Sequence, residues 1–363
     1  MSTNNEMPLY RLFLQPEDVK ELKSDIWCDE PVAGSLRIDK KKFDIDIVYR
    51  GSHTRKFNKK SYYVSFYKPK TFLGAKEWHL NAEYRDPSLI RNKLSLDFFS
   101  SIGVCSPKSQ HVFLVINGKQ EGVYLQLESV DEQFIINRNK AAGSIFYAID
   151  GDANFSLMSD LDKEVKKNLL LGYEQKCGNK EDRNVLEDFI YSINTLLPSE
   201  FEKKIEKYID VDKYLAWLAG VVCTQNYDGF VHNYSLYVSG ETGKIEIIPW
   251  DYDATWGRDV NGKAMDYDYV RIQGFNTLTA RLLAVNSFRK SYKYLLTSIL
   301  TNQFTPEFME PKVNSLHEYI RPYLSKDPYK KDDISLFDQE PQFILKFIKD
   351  RREYLIQNMK LLD

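Results

Sequence analysis

The sequence predicts an α+β fold of two lobes, the first rich in sheet and the second rich in helix. Three observations predict it. Up to about residue 130 the apolar residues alternate in short runs; beyond it they recur at helical spacing. One hairpin pattern, Tyr234 to Val238 and Lys244 to Ile248 around Ser-Gly-Glu-Thr-Gly, interrupts the helical part. Strands grouped before helices, rather than alternating with them, is the order of an α+β chain. The expected boundaries are 1–130 for the sheet-rich lobe and 131–363 for the helical lobe.

In the first lobe, Phe43, Ile45 and Ile47 alternate with Asp44 and Asp46, and Arg50-Gly51-Ser52 reads as a turn. Tyr62 to Tyr67 is aromatic and β-branched, so it reads as a strand. Asp86-Pro87 reads as the opening of a helix, whose buried stripe is Ile90, Leu94, Phe98 and Ile102 and whose end is Gly103. Val112 to Ile116, Asn117-Gly118 and Val123 to Leu127 describe a tight hairpin ending at Glu128. In the second lobe, Ser144 to Ile149 reads as a strand. Helices are expected over Glu181–Asn194, Pro198–Ile209, Val211–Cys223, Thr277–Asn302, Pro306–Leu324 and Pro341–Leu362, and Asp327–Asp333 reads as a surface loop.

Composition narrows the function classes. The 363 residues are 43% apolar and 28% charged, as in a globular chain, and carry 24 Tyr and 21 Phe for aromatic walls. A net charge of −2 argues against a general nucleic-acid binder. The stretch Arg50–Lys70 nevertheless holds seven Lys or Arg and no Asp or Glu. It reads either as a solvated strand edge or as a site for phosphate. Cys28, Cys105, Cys177 and Cys223 have no paired spacing, which fits reduced thiols in a cytosolic compartment. Neither a signal peptide nor an apolar run of membrane-spanning length is visible.

The segment 225–259, QNYDGFVHNYSLYVSGETGKIEIIPWDYDATWGRD, carries the chemistry. An apolar helix delivers Asp228; Asn233 follows five residues later; the hairpin then delivers Asp251 at a strand end, with Asp253 beyond it. Phosphoryl transfer needs these parts: a carboxylate to take the acceptor's proton, and an amide and a carboxylate to hold Mg²⁺. Protein kinases use the same order and the same Asp-to-Asn offset. The competing reading makes Asp228 and Asn233 turn residues, which Asp and Asn favour for local hydrogen bonding. Asp251 and Asp253 stand among Trp250, Tyr252 and Trp256, where a carboxylate is costly unless paired, and this favours a site. His232 beside it reads as structural. There is no G-x-G-x-x-G, Walker-A, H-E-x-x-H, C-x-x-C or G-x-S-x-G sequence.

Arg50-Gly51-Ser52, Lys59-Lys60-Ser61-Tyr62, HLNAEYRDPSLIRNKLSLDFF (79–99), INGKQEGVYLQLESVDE (116–132), NYDGFVHN (226–233) and IIPWDYDATWGRD (247–259) resemble the spore coat protein H (CotH) family over nearly the whole chain. The resemblance implies an atypical two-lobed protein-kinase-like fold, ATP and Mg²⁺ as cofactors, and phosphorylation of serines in Ser-, Lys- and Arg-rich spore coat proteins. It also implies a location in the mother-cell cytoplasm and then the spore coat. Asp228 matches the catalytic position, and Asn233 and Asp251 the metal positions. Within that frame Lys60 is the expected phosphate contact, with Lys59 on the opposite strand face. Tyr147 and Trp250 are the candidates for the adenine wall, and Glu128 either lines the cleft or caps its strand. A nucleotide-binding coat protein without catalysis, and AMP transfer on the same fold, are the competing readings.

Overall fold

The computed structural model describes residues 6–68 and 70–363. Strands β1 (Leu9–Phe13), β2 (Val32–Ile38), β3 (Lys41–Arg50), β4 (Ser61–Lys68), β5 (Glu77–Asn81), β6 (Ser109–Ile116) and β7 (Lys119–Glu128) form a closed barrel in the order β1-β2-β3-β4-β5-β7-β6. The sheet-rich first part was expected; its closure was not. Leu9–Leu12 pairs with Phe113–Ile116 in parallel, and that one contact joins the two edges of the antiparallel run. Closure leaves no unpaired edge, and Tyr10, Ile47, Val64, Trp78 and Leu114 fill the interior. The β6–β7 turn is the expected Asn-Gly one, with both residues at positive φ, Asn117 at 49° and Gly118 at 81°.

A second sheet, ordered β11-β10-β8-β9, is built from β8 (Gly143–Ala148), β9 (Tyr173–Cys177), β10 (Tyr234–Ser239) and β11 (Ile245–Pro249). The helices are α1 (Pro16–Ser24), α2 (Arg91–Ser101), α3 (Glu132–Ile136), α4 (Asp182–Thr195), α5 (Pro198–Ile205), α6 (Val211–Thr224), α7 (Thr277–Ala284), α8 (Asn286–Asn302), α9 (Pro306–Ile320) and α10 (Ile334–Asn358). Among the described residues no helix is long and apolar enough to cross a membrane. The four cysteines are free thiols.

Helix α2 belongs by sequence to the first part, yet Leu94, Phe98 and Phe99 are buried in the helical core. Its neighbour α6 permits this with Gly220, where a Cβ would stand 2.1 Å from a Phe99 ring carbon. The Asp86-Pro87 pair does not open the helix, which begins at Arg91. Asp86 instead accepts from the backbone N–H of Ser88 at 2.9 Å and of Arg91 at 3.0 Å, so residues 86–90 wrap around its carboxylate. The expected helix over 277–302 is broken at Val285. The last helix starts at Ile334 and runs through Pro341, and Glu340 beside that proline is anchored in a buried ion pair.

Asp327–Asp333 is not the surface loop its charge suggested. Asp327 is buried and takes the Lys59 ammonium at 3.0 Å and the Val123 N–H at 2.9 Å, and Lys330 donates to the carbonyls of Tyr84 and Asp86 at 2.9 Å each. Lys331, Asp332 and Asp333 stay exposed, whereas Asp327 and Lys330 find buried partners across the chain.

Burial pushes the Asp86 carboxyl toward neutrality, but the Arg91 guanidinium and the hydrogen bonds from Ser88 and Arg91 outweigh it and hold its pKa below the ordinary value. Such a group stabilises the fold above the unfolded carboxylate pKa of about 4, and that stabilisation is lost as pH falls through the depressed value. Asp86→Asn should therefore cost about 3 kcal/mol at pH 7, the low end for breaking a buried pair, since Arg91 keeps a second carboxylate. In urea titrations the gap to the parent protein should shrink below pH of about 4. A gap of the same size at pH 7 and pH 3 would contradict this account.

Candidate active site

Helix α6 is apolar on nearly every face and ends at Gln225, whose left-handed backbone (φ 59°) turns the chain out of the core. The turn Asp228–Phe230 follows, held by Asn226 Oδ1 accepting from Gly229 N at 3.1 Å and by Asn276 Nδ2 donating to the Phe230 carbonyl at 3.0 Å. This leaves the half-buried Asp228 facing a cleft of about 370 Å³.

The hairpin brings the next parts together. Tyr234 pairs with Pro249 at its open end, so Asn233 just before β10 stands opposite Trp250 just after β11, and Trp250 N donates to the Asn233 carbonyl at 3.1 Å. Asn233 and Asp251 both adopt left-handed backbone, φ 59° and 57°, which Asn and Asp tolerate better than most residues. Both line the cleft with Asp228 and Asp253. Strand β8 pairs with β10 on its other side and presents Tyr147, whose ring stacks on Trp250 at 5.6 Å and 23°.

The barrel supplies the opposite wall. Arg50, at the end of β3, donates to Asn81 Oδ1 and lies over the Trp250 ring at 5.6 Å. Burial lowers its pKa against the pull of Asp251, Tyr147, Glu83 and Asp253, which favour its charge. His79 meets Trp250 edge-on at 5.0 Å, and burial, with Arg50 and Lys176 nearby, pushes its pKa well down, so the ring is neutral. Behind it Ser129 Oγ donates to Glu77 at 2.6 Å and lies 3.2 Å from the Tyr147 hydroxyl. Glu83 is buried in the same wall; Asn92 Nδ2 donates to its Oε1 at 3.1 Å, and Oε2 has no partner among the described residues. Asn92 also accepts from Tyr252 N at 3.1 Å, and so ties this wall to the chain between Asp251 and Asp253.

The residues singled out in the sequence separate into two groups. Asp228, Asn233, Asp251, Asp253, Tyr147 and Trp250 share one cleft, and His232 joins them. Lys60 does not: its ammonium donates to the Arg55 carbonyl, and it is absent from the cleft wall. The strand begins only at Ser61, so the alternation of faces assumed for Lys59 and Lys60 does not apply; Lys59 lines the cleft wall while its ammonium pairs with Asp327. Glu128 is also elsewhere, paired with Arg138 at 2.7 Å. The sequence reading missed Arg50, His79 and Glu83. The signal for Arg50 was present in the acid-free basic stretch, but only barrel closure shows which of its cations faces inward.

The family described as CotH kinase protein matches residues 47–355. The chain belongs to the CotH family. It is 59% identical to the inner spore coat protein H of Bacillus subtilis (strain 168) over 362 residues, covering 100% of each chain. An inner spore coat protein H-like protein of the same organism is 29% identical, covering 82% of this chain and 84% of that one. Among solved structures, the HipA–HipB toxin–antitoxin complex of Shewanella oneidensis MR-1 aligns with 99% of this chain and 76% of that one, at 13% identity and a TM-score of 0.40. A score so low fixes no common architecture.

A hard divalent cation fits the CotH cleft. Its donors are carboxylate and amide oxygens, the set that suits Mg²⁺. Glu83 Oε2 has no partner among the described residues, and Asp253, Asp86 and Asp251 lie near enough to raise the Glu83 pKa. No three His, Cys, Asp or Glu among the described residues form a ready cage.

Burial, then Asp253, Asp86 and Asp251, raise the Glu83 pKa well above its ordinary value, against the Asn92 amide. From the unfolded value of about 4.3 upward, folding must then take up a proton, so this group costs stability as pH rises toward the raised value. Glu83→Gln removes that cost while keeping the shape. In EDTA its melting temperature should match the parent's near pH 4 and exceed it at pH 7. A variant that melts lower than the parent at both would contradict a protonated Glu83.

Proposed function

We propose that this CotH cleft transfers the γ-phosphate of ATP, bound with Mg²⁺, to serine hydroxyls of spore coat proteins. The observation that carries the reading is the meeting of Asp228, Asn233 and Asp251 in one cleft with the Arg50 guanidinium and the stacked Tyr147–Trp250 pair. Asp251 and Asn233 would hold the metal, which would supply the positive charge that offsets the phosphates. Asp228 accepts the proton of the attacking hydroxyl. Arg50 takes the phosphate-contacting role first assigned to Lys60, its guanidinium offering paired donors to phosphate oxygens. The Tyr147–Trp250 pair, with neutral His79 at its edge, gives the flat apolar wall that adenine needs. Coat proteins as acceptors, and the spore coat as the place of action, extend to this chain the name of its 59%-identical relative.

Two pairs of variants test the roles. Asp228→Asn should lower the phosphate-transfer rate by about a hundred- to ten-thousand-fold and leave Mg²⁺-dependent ATP affinity intact. Asp251→Ala should lose both. Arg50→Ala should weaken ATP binding by at least about tenfold, roughly the value of one charge-assisted hydrogen bond, while Lys60→Ala stays near the parent. Intact-mass measurement of a serine peptide after incubation with ATP separates phosphate from AMP transfer. An unmodified peptide with the parent protein, or full activity in Asp228→Asn, would refute the reading.

A further inference from the structure

We propose that the outer face of the barrel around β1 docks a segment of a partner protein that joins an aliphatic stretch to a run of Asp or Glu. This reading does not depend on the proposed phosphate transfer. Arg11 on β1 stands directly opposite Arg37 on β2, and Arg37 stands directly opposite Lys42 on β3. All three are exposed, so three neighbouring strands carry one row of cations. Like charges placed opposite one another destabilise a sheet. Cations can protect an unpaired strand edge, but here the barrel is closed and each of these strands has a neighbour on both sides. Neither arginine has a side-chain partner among the described residues, and Lys42 has only Asp44 at 3.9 Å, both well exposed to water. The row is a cost to the free protein that an anionic partner removes.

A cavity of about 660 Å³ lies beside the row and includes Arg11 in its wall. It opens between β1 and β6 on one side and the turn Arg321–Lys326 on the other, and shares no wall residue with the nucleotide cleft. Leu9, Phe13, Phe113, Val115 and Tyr323 make it largely apolar, and Phe13 is 46% exposed. Arg11 and Lys326 outnumber Glu6 among its charges. Met1 to Asn5, which precede Glu6 in the chain, include no acid, so they do not supply the missing charge. An aliphatic stretch suits the cavity, and carboxylates continuing from it reach the cation row.

A fluorescein-labelled nonapeptide, Leu-Val-Leu between two runs of three glutamates, tests this by anisotropy at low salt. The parent protein should bind it. Replacing the six glutamates with glutamine, or the central three residues with serine, should weaken binding at least about tenfold. Arg37→Glu reverses the middle charge and makes both cross-strand pairs attractive. It should weaken the glutamate peptide at least about tenfold and raise the melting temperature of the free protein. Phe13→Ser should weaken the peptide about fivefold through the cavity alone. Both variants should phosphorylate a serine peptide like the parent, and the binding test stands even if the parent transfers no phosphate. Binding unchanged by Arg37→Glu, a lower melting temperature in that variant, or equal binding of the glutamine peptide would overturn the proposal. A phosphoserine peptide or a DNA oligonucleotide binding as tightly as the glutamate peptide would make the face a general polyanion surface and overturn its assignment to an acidic protein segment. A dimer in sedimentation that Arg37→Glu dissociates would assign the face to a second copy instead.

Discussion

The Arg91 guanidinium is the charge on which the cleft depends. It is fully buried, pairs with Asp86 at 2.6 Å and Glu340 at 2.7 Å, and donates through Nε to the Thr255 carbonyl at 2.9 Å. Those three contacts join the segment after Glu83, the chain just beyond Asp253, and the last long helix. A charge taken so far from water is tolerable only with such partners. The network is weak evidence for high stability. It ties three distant segments to one guanidinium, and losing either carboxylate leaves the buried charges imperfectly balanced. Arg258, which also pairs with Glu340 through Nε at 3.1 Å, extends the same clamp toward the loop bearing Asp259.

A second buried pair, Lys59 with Asp327, performs the corresponding task at the barrel. Asp327 reaches across to Lys59 and to the Val123 N–H where Gly122 leaves room, since a Cβ there would overlap its carboxylate at 2.1 Å. The barrel wall carrying Arg50, His79 and Glu83 is thus fastened to the C-terminal part by these pairs and by Lys330 on the Tyr84 and Asp86 carbonyls. The cleft between them gathers more negative than positive charge. Glu83 and Asp253 are pushed toward their neutral forms by burial and by one another's neighbours. A divalent cation in the cleft would relieve part of that repulsion.

The local order of this site was legible in the sequence for a physical reason. Asp228, Asn233 and Asp251 are separated by one turn and one hairpin, and period-two strands with a turn between them fix which residues meet at the open end. The stacked Tyr147 and Trp250 were nameable as aromatics of that sheet, though their contact required the β8–β10 pairing. The alternation up to residue 130 likewise announced sheet, and helical spacing announced α4, α6 and α9.

What only the tertiary structure decided is where charges go. Alternation cannot say that β1 pairs in parallel with β6, because barrel closure joins segments about a hundred residues apart and leaves no local mark. Without closure, seven cations between Arg50 and Lys70 are equivalent in sequence; with it, Arg50 and Lys59 line the cleft, the Lys59 ammonium turned to buried Asp327, and Lys60 binds a local carbonyl. Asp86 reads in sequence as the opening of a helix and Asp327 as part of a surface loop, and nothing local marks Glu340, since charge in sequence predicts solvent. Their burial depends on partners 5, 268 and 249 positions away, at Arg91, Lys59 and Arg91 again. Local periodicity thus determined the elements and the order of the chemistry, while long-range ion pairing determined which wall faces it.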